Sequence, residues 1–545
     1  MMQSKNNRQH KGAPHGQAMI GAAVAGMIAM LSASQGLAQV QGPSTLQTPY
    51  VLPVAPGVVT LSVASNGNSS ANAPDETFAR TGGGAPYRLV GIPDGMGAYN
   101  NADGQTFTLL VNHELGATVG IPRAHGTAGS FVSKWIIDKN TKAVISASDL
   151  ITNVAPVAGG AAPFGRFCSA DLAAPGAYFN ASTSTGTQER IYLHGEEIGA
   201  EGRNFGTVVS GPNAGTTHFL PAMGKFSWEN SVAAPLSGNK TVVWSYDDST
   251  PGEVYLYVGD KQNTGNEIDR AGLNNGKTFG LVVPGVPTES RTTGIGGTST
   301  AFTLTDLSTS QTGTGAAFQT ASSAAGVTQF LRPEDGHWDP SNPAVNYFVT
   351  TDRFDSTKNG TGTQVGRSRL WRTTLNDMNN PTGGNIEMLM DGTEAHQMLD
   401  NMTTVLGVDG QTRLLLQEDP GGVSHSARIW LYDPQTDALS EMAKFDAARF
   451  GDVGIDAVAP FNQDEESSGI IDARDTLGLG WFMVNVQSHY QQSLVGSPHA
   501  AELVEGGQLI AMYIPQAVGV PEPTAAAALA GVAGAALLRR RRNLK

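Results

Sequence analysis

The 545-residue sequence has a single cysteine, Cys168, so no intrachain disulfide can brace the fold. Stability must come from a large core or from bound metal, and a lone thiol in an oxidising compartment is expected to be buried or ligated. Charge is sparse. Only 15% of residues are charged, acids outnumber bases 48 to 34, and the net charge is −14. The basic clusters lie mainly at the two ends. This balance excludes nucleic acid as a structural partner, because phosphate neutralisation takes a basic face. An acidic body suits divalent cations. The histidines His113, His194, His337, His425 and His489 stand apart, without zinc-site spacing, and "NHE" at 112–114 is not HExxH. There is no GxSxG and no glycine-rich phosphate loop, so serine hydrolase and P-loop chemistry lack support. Helical amphipathic periodicity is also scarce.

What the chain does have is short apolar runs bounded by turn residues. Examples are "TFTLLVN" (106–112), "RIYLHG" (190–195), "KTVVWSY" (240–246), "NYFVTT" (346–351), "RLLLQ" (413–417) and "GWFMVNVQ" (480–487). Most run four to eight residues, the length of strands rather than helices. With 67 Gly, 29 Pro and many Ser and Thr, the expectation is an all-β protein.

A loose repeat runs through these strands. An apolar strand ends in a carboxylate at Glu114, at Glu196-Glu197, at Asp247-Asp248, at Glu334-Asp335 and at Glu418-Asp419. In several cases a second strand with a central aromatic follows: Trp135, Tyr255 or Trp430, with Trp371 a looser match. Repeated multi-strand units suggest radial repetition, as in a β-propeller, with strand-end acids converging near the axis. The spacings are irregular, which implies insertions. The competing architecture is a β-sandwich with ordinary loop acids.

The ends have their own character. Residues 1–38 read as a secretory signal peptide, with Lys5, Arg8 and Lys11 before a small-residue apolar run and a small-residue cleavage pattern ending at Ala38. The apolar run is short for a membrane span. Residues 39–57 read as a linker, 58–513 as the β domain, and 284–326, nearly uncharged and rich in Gly, Ser and Thr, as a flexible insertion or lid. In 514–545 a linker precedes Pro521-Glu522-Pro523, a short apolar segment and four arginines. That order resembles the PEP-CTERM sorting signal. The resemblance implies export from a Gram-negative bacterium, processing by signal peptidase and exosortase, and delivery to the cell envelope, cell surface or extracellular matrix.

Site candidates follow from chemistry. Calcium takes six to eight oxygen ligands, and the recurring strand-end acids, with Asp400-Asn401, offer several. Cys168, as thiolate, is a soft ligand that suits iron or zinc; the alternative is a buried, inert thiol. In "QFLRPEDGHWDP" (329–340), Pro333 is expected to hold Arg332 extended, with Glu334 on the same side of the strand. An arginine for an anion beside a carboxylate for a metal is what metal-assisted phosphoryl transfer requires. The alternative is a structural Arg–Glu pair tying a loop.

"VNHE", "FCSADL" followed by "YLHGEE", "RPEDG", "LDNMTT" and "LLLQEDPGG…ARIWLYD", in this order across roughly 85–490, are similar to the PhoX-type alkaline phosphatases. The resemblance implies a six-bladed β-propeller with a calcium–iron cluster at one mouth of its channel, cleaving phosphomonoesters. Carried over, Cys168 is the iron ligand, and Glu114, Glu196 or Glu197, and Glu334 are metal carboxylates. Asp400 and Glu418 are further ligands, and Arg332 grips phosphate. The chain departs from the family in lacking a twin-arginine signal and in carrying "AAPGAYFNASTSTGTQER" (173–190) in place of a Thr-Pro-Trp-Gly tract. The expected substrate is a small phosphate ester or an organic phosphate polymer, and the expected state is a monomer. A calcium-stabilised propeller without turnover is the alternative function.

Overall fold

A computed structural model describes residues 38–66, 75–289, 294–352, 368–421 and 424–519. The signal-peptide segment before Ala38 and the sorting-signal segment after Gly519 lie outside the described residues. The fold is all-β with a few short helices. Among the described residues no helix is long and apolar enough to cross a membrane.

The strands form antiparallel meanders in a propeller-like arrangement. Four meanders are separate sheets that begin with Pro93–Asn100, Phe167–Asp171, Leu399–Leu406 and Ile470–Asp472. Two others, beginning with Trp228–Ala233 and Pro333–Trp338, share one ten-stranded sheet. They are joined at their outer edges, where Thr300–Asp306 pairs with Gly383–Met390. The six first strands lie against one another in a closed circuit, in chain order. Second strands such as Thr106–His113 and Lys240–Asp247 are buried almost throughout, as strands covered on both faces must be. Apolar clusters fill the spaces between sheets, with Trp135, Trp228, Trp244 and Trp371 fully buried.

Two expectations about segments are corrected. Residues 39–57 are not a linker. Ala38–Gln41 pairs with Val59–Ser65, and Val51–Pro53 is the outer strand of the fifth meander, pairing with Ala438–Phe445. The interruption by Gly and Pro hides strands this short. The last meander is likewise built from both ends of the chain, with Val59–Ser65 pairing with Glu505–Tyr513. The insertion 284–326 also holds regular elements among its described residues. It contributes the joining strand and the helix Gly315–Ala324, capped by Thr314 and anchored by the buried Phe318.

One irregularity recurs. In five meanders the first strand carries one extra residue near its start relative to its partner. Pro93 to Met96 faces His113 to Val111, Phe167 to Ala170 faces Glu196 to His194, and Trp228 to Ser231 faces Asp247 to Ser245. Pro333 to Gly336 faces Thr350 to Phe348, and Leu399 to Met402 faces Glu418 to Leu416. Such a bulge bends the strand and re-aims the extra side chain. The second residues of these strands are Asp94, Cys168, Glu229, Glu334 and Asp400. The inner circuit is tight here. A Cβ on Gly95 would collide with the Ala170 backbone, and one on Gly336 with the Tyr246 hydroxyl.

Candidate metal and anion site

The five bulges aim Asp94, Cys168, Glu229, Glu334 and Asp400 toward one end of the circuit. There Cys168, Glu229, Glu334 and Asp400 line a cavity of about 650 Å³. Asp94 joins them through the Cys168 thiol, which donates to its Oδ2 at 3.2 Å. A second set of acids comes from the residue just after the second strand of each of four meanders: Glu114, Glu197, Asp248 and Asp419. Glu466 completes the acidic lining.

The strand-end residues one position earlier do something else. Successive side chains on a strand point to opposite faces. Glu196 turns into its own sheet, where Arg203 grips it at 2.5 and 2.6 Å and the Gly165 amide donates at 3.0 Å. Glu418 accepts from the Gln397 and Arg428 amides, from Trp430 Nε1 at 2.9 Å and from His425. Those partners hold the Glu418 carboxyl below its ordinary pKa although burial alone would raise it. The third-strand aromatics serve these inward residues. Trp371 donates to Thr350, Trp430 to Glu418, and Trp135 to the Ser133 that bonds His113.

The sequence candidates divide accordingly. Glu114, Cys168, Glu197, Arg332, Glu334 and Asp400 come together in the pocket. Glu196 and Glu418 do not, and their expected role as metal ligands is corrected to structural anchoring; the neighbours Glu197 and Asp419 face the cavity. Glu334 opens a first strand rather than ending a second one. Arg332 is not extended. Its φ is 57°, in the left-handed region, despite the following proline. Ile92, Arg166 and Met398 hold the same position before their bulges and are also left-handed, with φ of 52°, 42° and 47°. Non-glycine residues there are uncommon and strained, and the strain recurs where the chain turns into the site.

Ionisable groups are dense here. Asp94, Glu114 and Cys168 present ligand atoms within 4.8 Å of one another, as do Cys168, Glu197 and Glu229, and again Glu229, Asp248 and Glu334. Arg332 makes a two-pronged pair with Asp248, at 2.7 and 2.8 Å, and reaches Glu334 at 3.1 Å. Arg166 pairs with Glu114 at 2.5 Å and with Glu197. Burial first, and then mutual repulsion, push Asp94, Glu229 and Asp400 well above the usual carboxylate range. Glu334 is raised by burial against the opposing pull of Arg332, and Glu197 by burial and by Glu114. Burial and then Asp94 raise the Cys168 thiol.

A second layer holds the bulges together from beneath. Ser169 donates to Glu229 at 2.7 Å and receives from Asn401 at 2.6 Å. Asn230 donates to Asp335 at 2.5 Å, and the Met402 amide donates to the other Asp335 oxygen at 3.0 Å. Each bond crosses from one meander to another.

Three buried oxygens, Asp94 Oδ1, Glu334 Oε2 and Asp400 Oδ1, have no hydrogen-bond partner among the described residues. A buried carboxylate without compensation is unfavourable by several kcal/mol. Cations would compensate it, so the donor set fits metal. Carboxylate oxygens suit hard ions such as calcium, and the thiol at the junction of two groups adds a soft donor.

No family model matches the chain, and no curated protein matches it. Among solved structures, Pseudomonas fluorescens PhoX in complex with vanadate, a transition-state analogue, superposes with a TM-score of 0.53 at 14% identity, over 90% of this chain and 99% of that one. A protein of unknown function from Dyadobacter fermentans matches at a TM-score of 0.42 and 9% identity, over 84% of this chain and all of that one. The chain therefore shares its overall fold with PhoX.

Proposed function

We propose that this chain is an exported, cation-dependent phosphomonoesterase built on a six-bladed β-propeller. Six meanders whose first strands form a closed circuit support the blade count. The carrying observation for the activity is the placement of Arg332. Its side chain, only 13% exposed, pairs with Asp248 and Glu334 in a cavity where Glu334 and Asp400 carry buried oxygens without a hydrogen-bond partner. The PhoX structure with its vanadate lends the fold-level precedent.

In this reading Asp94, Glu114, Cys168, Glu197, Glu229, Asp248, Glu334 and Asp400 hold cations, calcium at the carboxylates and iron where Cys168 contributes. The bound cations supply Lewis acidity toward a phosphoryl oxygen. Arg332 binds two phosphoryl oxygens and stabilises the charge that grows on them as the ester bond breaks. Burial strengthens that contact and Asp248 fixes its direction. The second-layer bonds from Ser169, Asn230 and Asn401 keep the bulged side chains from relaxing outward.

The test is phosphate release from p-nitrophenyl phosphate at alkaline pH by protein supplied with calcium and iron. Turnover that requires cations and falls at least a hundredfold in Arg332→Ala, with calcium-dependent thermal stability retained, supports the assignment. Folded, metal-loaded protein without turnover would overturn it. That result would favour a calcium-stabilised propeller without catalysis, the reading suggested by how fully Asp248 and Glu334 already engage Arg332. The proposal also places the protein as a monomer in the cell envelope, at the surface or in the extracellular matrix, acting on small phosphate esters or organic phosphate polymers. Removal of residues 1–38 during export is the measurement for that part.

A further inference from the structure

Arg166 occupies the position in the second meander that Arg332 occupies in the fourth. Each stands two residues before a bulged ligand residue, Cys168 or Glu334, and each is left-handed. Each pairs with an acid that follows the second strand of the preceding meander, Glu114 for Arg166 and Asp248 for Arg332. The fold thus presents the same cation twice in one cavity. The two differ in depth. The Arg332 side chain is 13% exposed and Arg166 is 47% exposed, so Arg332 lies at the floor and Arg166 toward the mouth. They are also near one another. The Glu197 gripped by Arg166 and the Asp248–Glu334 pair gripped by Arg332 belong to two close-set groups that share Glu229.

We propose that Arg166 is a second anion anchor and that the site takes organic molecules carrying two phosphate groups. One is held at the floor by Arg332 for cleavage, and the other at the mouth by Arg166. This rests on the phosphatase reading above and extends it to a substrate class. Cations at the groups containing Glu114 and Glu197 compete with Arg166 for those carboxylates. Its exposed donors then turn to an oxyanion, for which a guanidinium is well shaped. A residue serving only to neutralise Glu114 and Glu197 would have no reason to discriminate between substrates.

The experiment compares fructose 6-phosphate with fructose 1,6-bisphosphate in the metal-loaded full chain, for wild type, Arg166→Lys and Arg166→Ala. The expected result is a KM for the bisphosphate that rises about tenfold in Arg166→Ala with kcat little changed, and rises less in Arg166→Lys. The ratio of kcat/KM for the bisphosphate to that for the monophosphate should fall about tenfold in Arg166→Ala, whatever the substitution does to the monophosphate alone. Equal changes for both sugars, or none, would overturn the proposal. Calorimetric binding in the Arg332→Ala background supplies a readout without turnover. There the bisphosphate should bind at least tenfold more tightly than the monophosphate, and adding Arg166→Ala should remove that advantage. If wild type cleaves neither sugar nor p-nitrophenyl phosphate, the phosphatase reading fails. The calorimetry then still decides Arg166, since bisphosphate binding no tighter than monophosphate binding rejects it.

Discussion

Replacing Glu229 by glutamine should change sign with conditions. Glu229 is the one acid shared by two of the close-set groups, and it is buried with its charge opposed by Glu334 and Asp94. Unit charges 4.8 Å apart at an effective dielectric of about 20 repel by about 3.5 kcal/mol. Protonation limits how much of that the fold bears, so about 1–3 kcal/mol is expected. The folded pKa lies above the unfolded one. The carboxyl therefore fits the fold when neutral and loses stability as pH rises past the unfolded value toward the folded one. In chelator at pH 8, Glu229→Gln should raise stability, by about 1–3 °C in Tm for a chain of this size. At pH 5 glutamine and the protonated acid should be nearly equivalent. With millimolar calcium at pH 8 the order should invert, because wild type gains a ligand charge that the variant lacks. Differential scanning calorimetry at the two pH values, with chelator and with calcium, reads all three. The reasoning fails if the variant is destabilised in chelator at pH 8, or if calcium raises both proteins equally.

Neighbouring acids should behave oppositely. Glu418→Gln should destabilise the fold by about 3–5 kcal/mol with or without calcium, since four donors converge on that carboxylate, whereas Asp419→Asn should lower calcium affinity with little effect in chelator. Denaturant melts and calcium titrations separate the two. Glu196→Gln should resemble Glu418→Gln, because Arg203 would lose its two-pronged partner. Cys168→Ser should abolish any visible charge-transfer absorption of iron-loaded protein while leaving calcium binding largely in place; unchanged absorption would remove Cys168 from the iron site. In chelator, the acids Asp171 and Asp335, both raised to about 7 mainly by burial, should make the folded protein lose stability as pH climbs from about 4 to about 7.

The all-β architecture was legible because second and third strands are continuous apolar runs with a central aromatic, a pattern that does not depend on partners. The strand-end acids were legible for the same reason. Which of two adjacent acids faces the cavity was not, since the choice depends on pleat phase at the strand's last residue: Asp419 lines it and Glu418 does not. Asp94 and Glu229 escaped notice because the first strands, "PDGMGAYN" and "WENSVA", are polar and interrupted, as bulged strands on an inner circuit have to be. A signal was present nonetheless. Pro-Asp-Gly, Phe-Cys-Ser, Trp-Glu-Asn, Pro-Glu-Asp and Leu-Asp-Asn all place the bulged residue between a bulky or cyclic residue and a small or polar one. The left-handed turn at Arg332 ran against the usual effect of a following proline and could be seen only in three dimensions.

The pairing of Val59–Ser65 with Glu505–Tyr513 has a consequence for biogenesis. The last sheet cannot form until the final strand has been synthesised. Gln487 of that sheet donates to both Asp94 and Glu114 on the neighbouring first meander. A chain whose final strand is not yet made therefore has its acids but no closed ring, and closing the ring joins segments far apart in sequence, a slow step in folding. On the reading proposed above, cation binding would follow closure of the ring. If the acids hold cations as proposed, the ions available where the chain finishes folding would decide which of them it takes up.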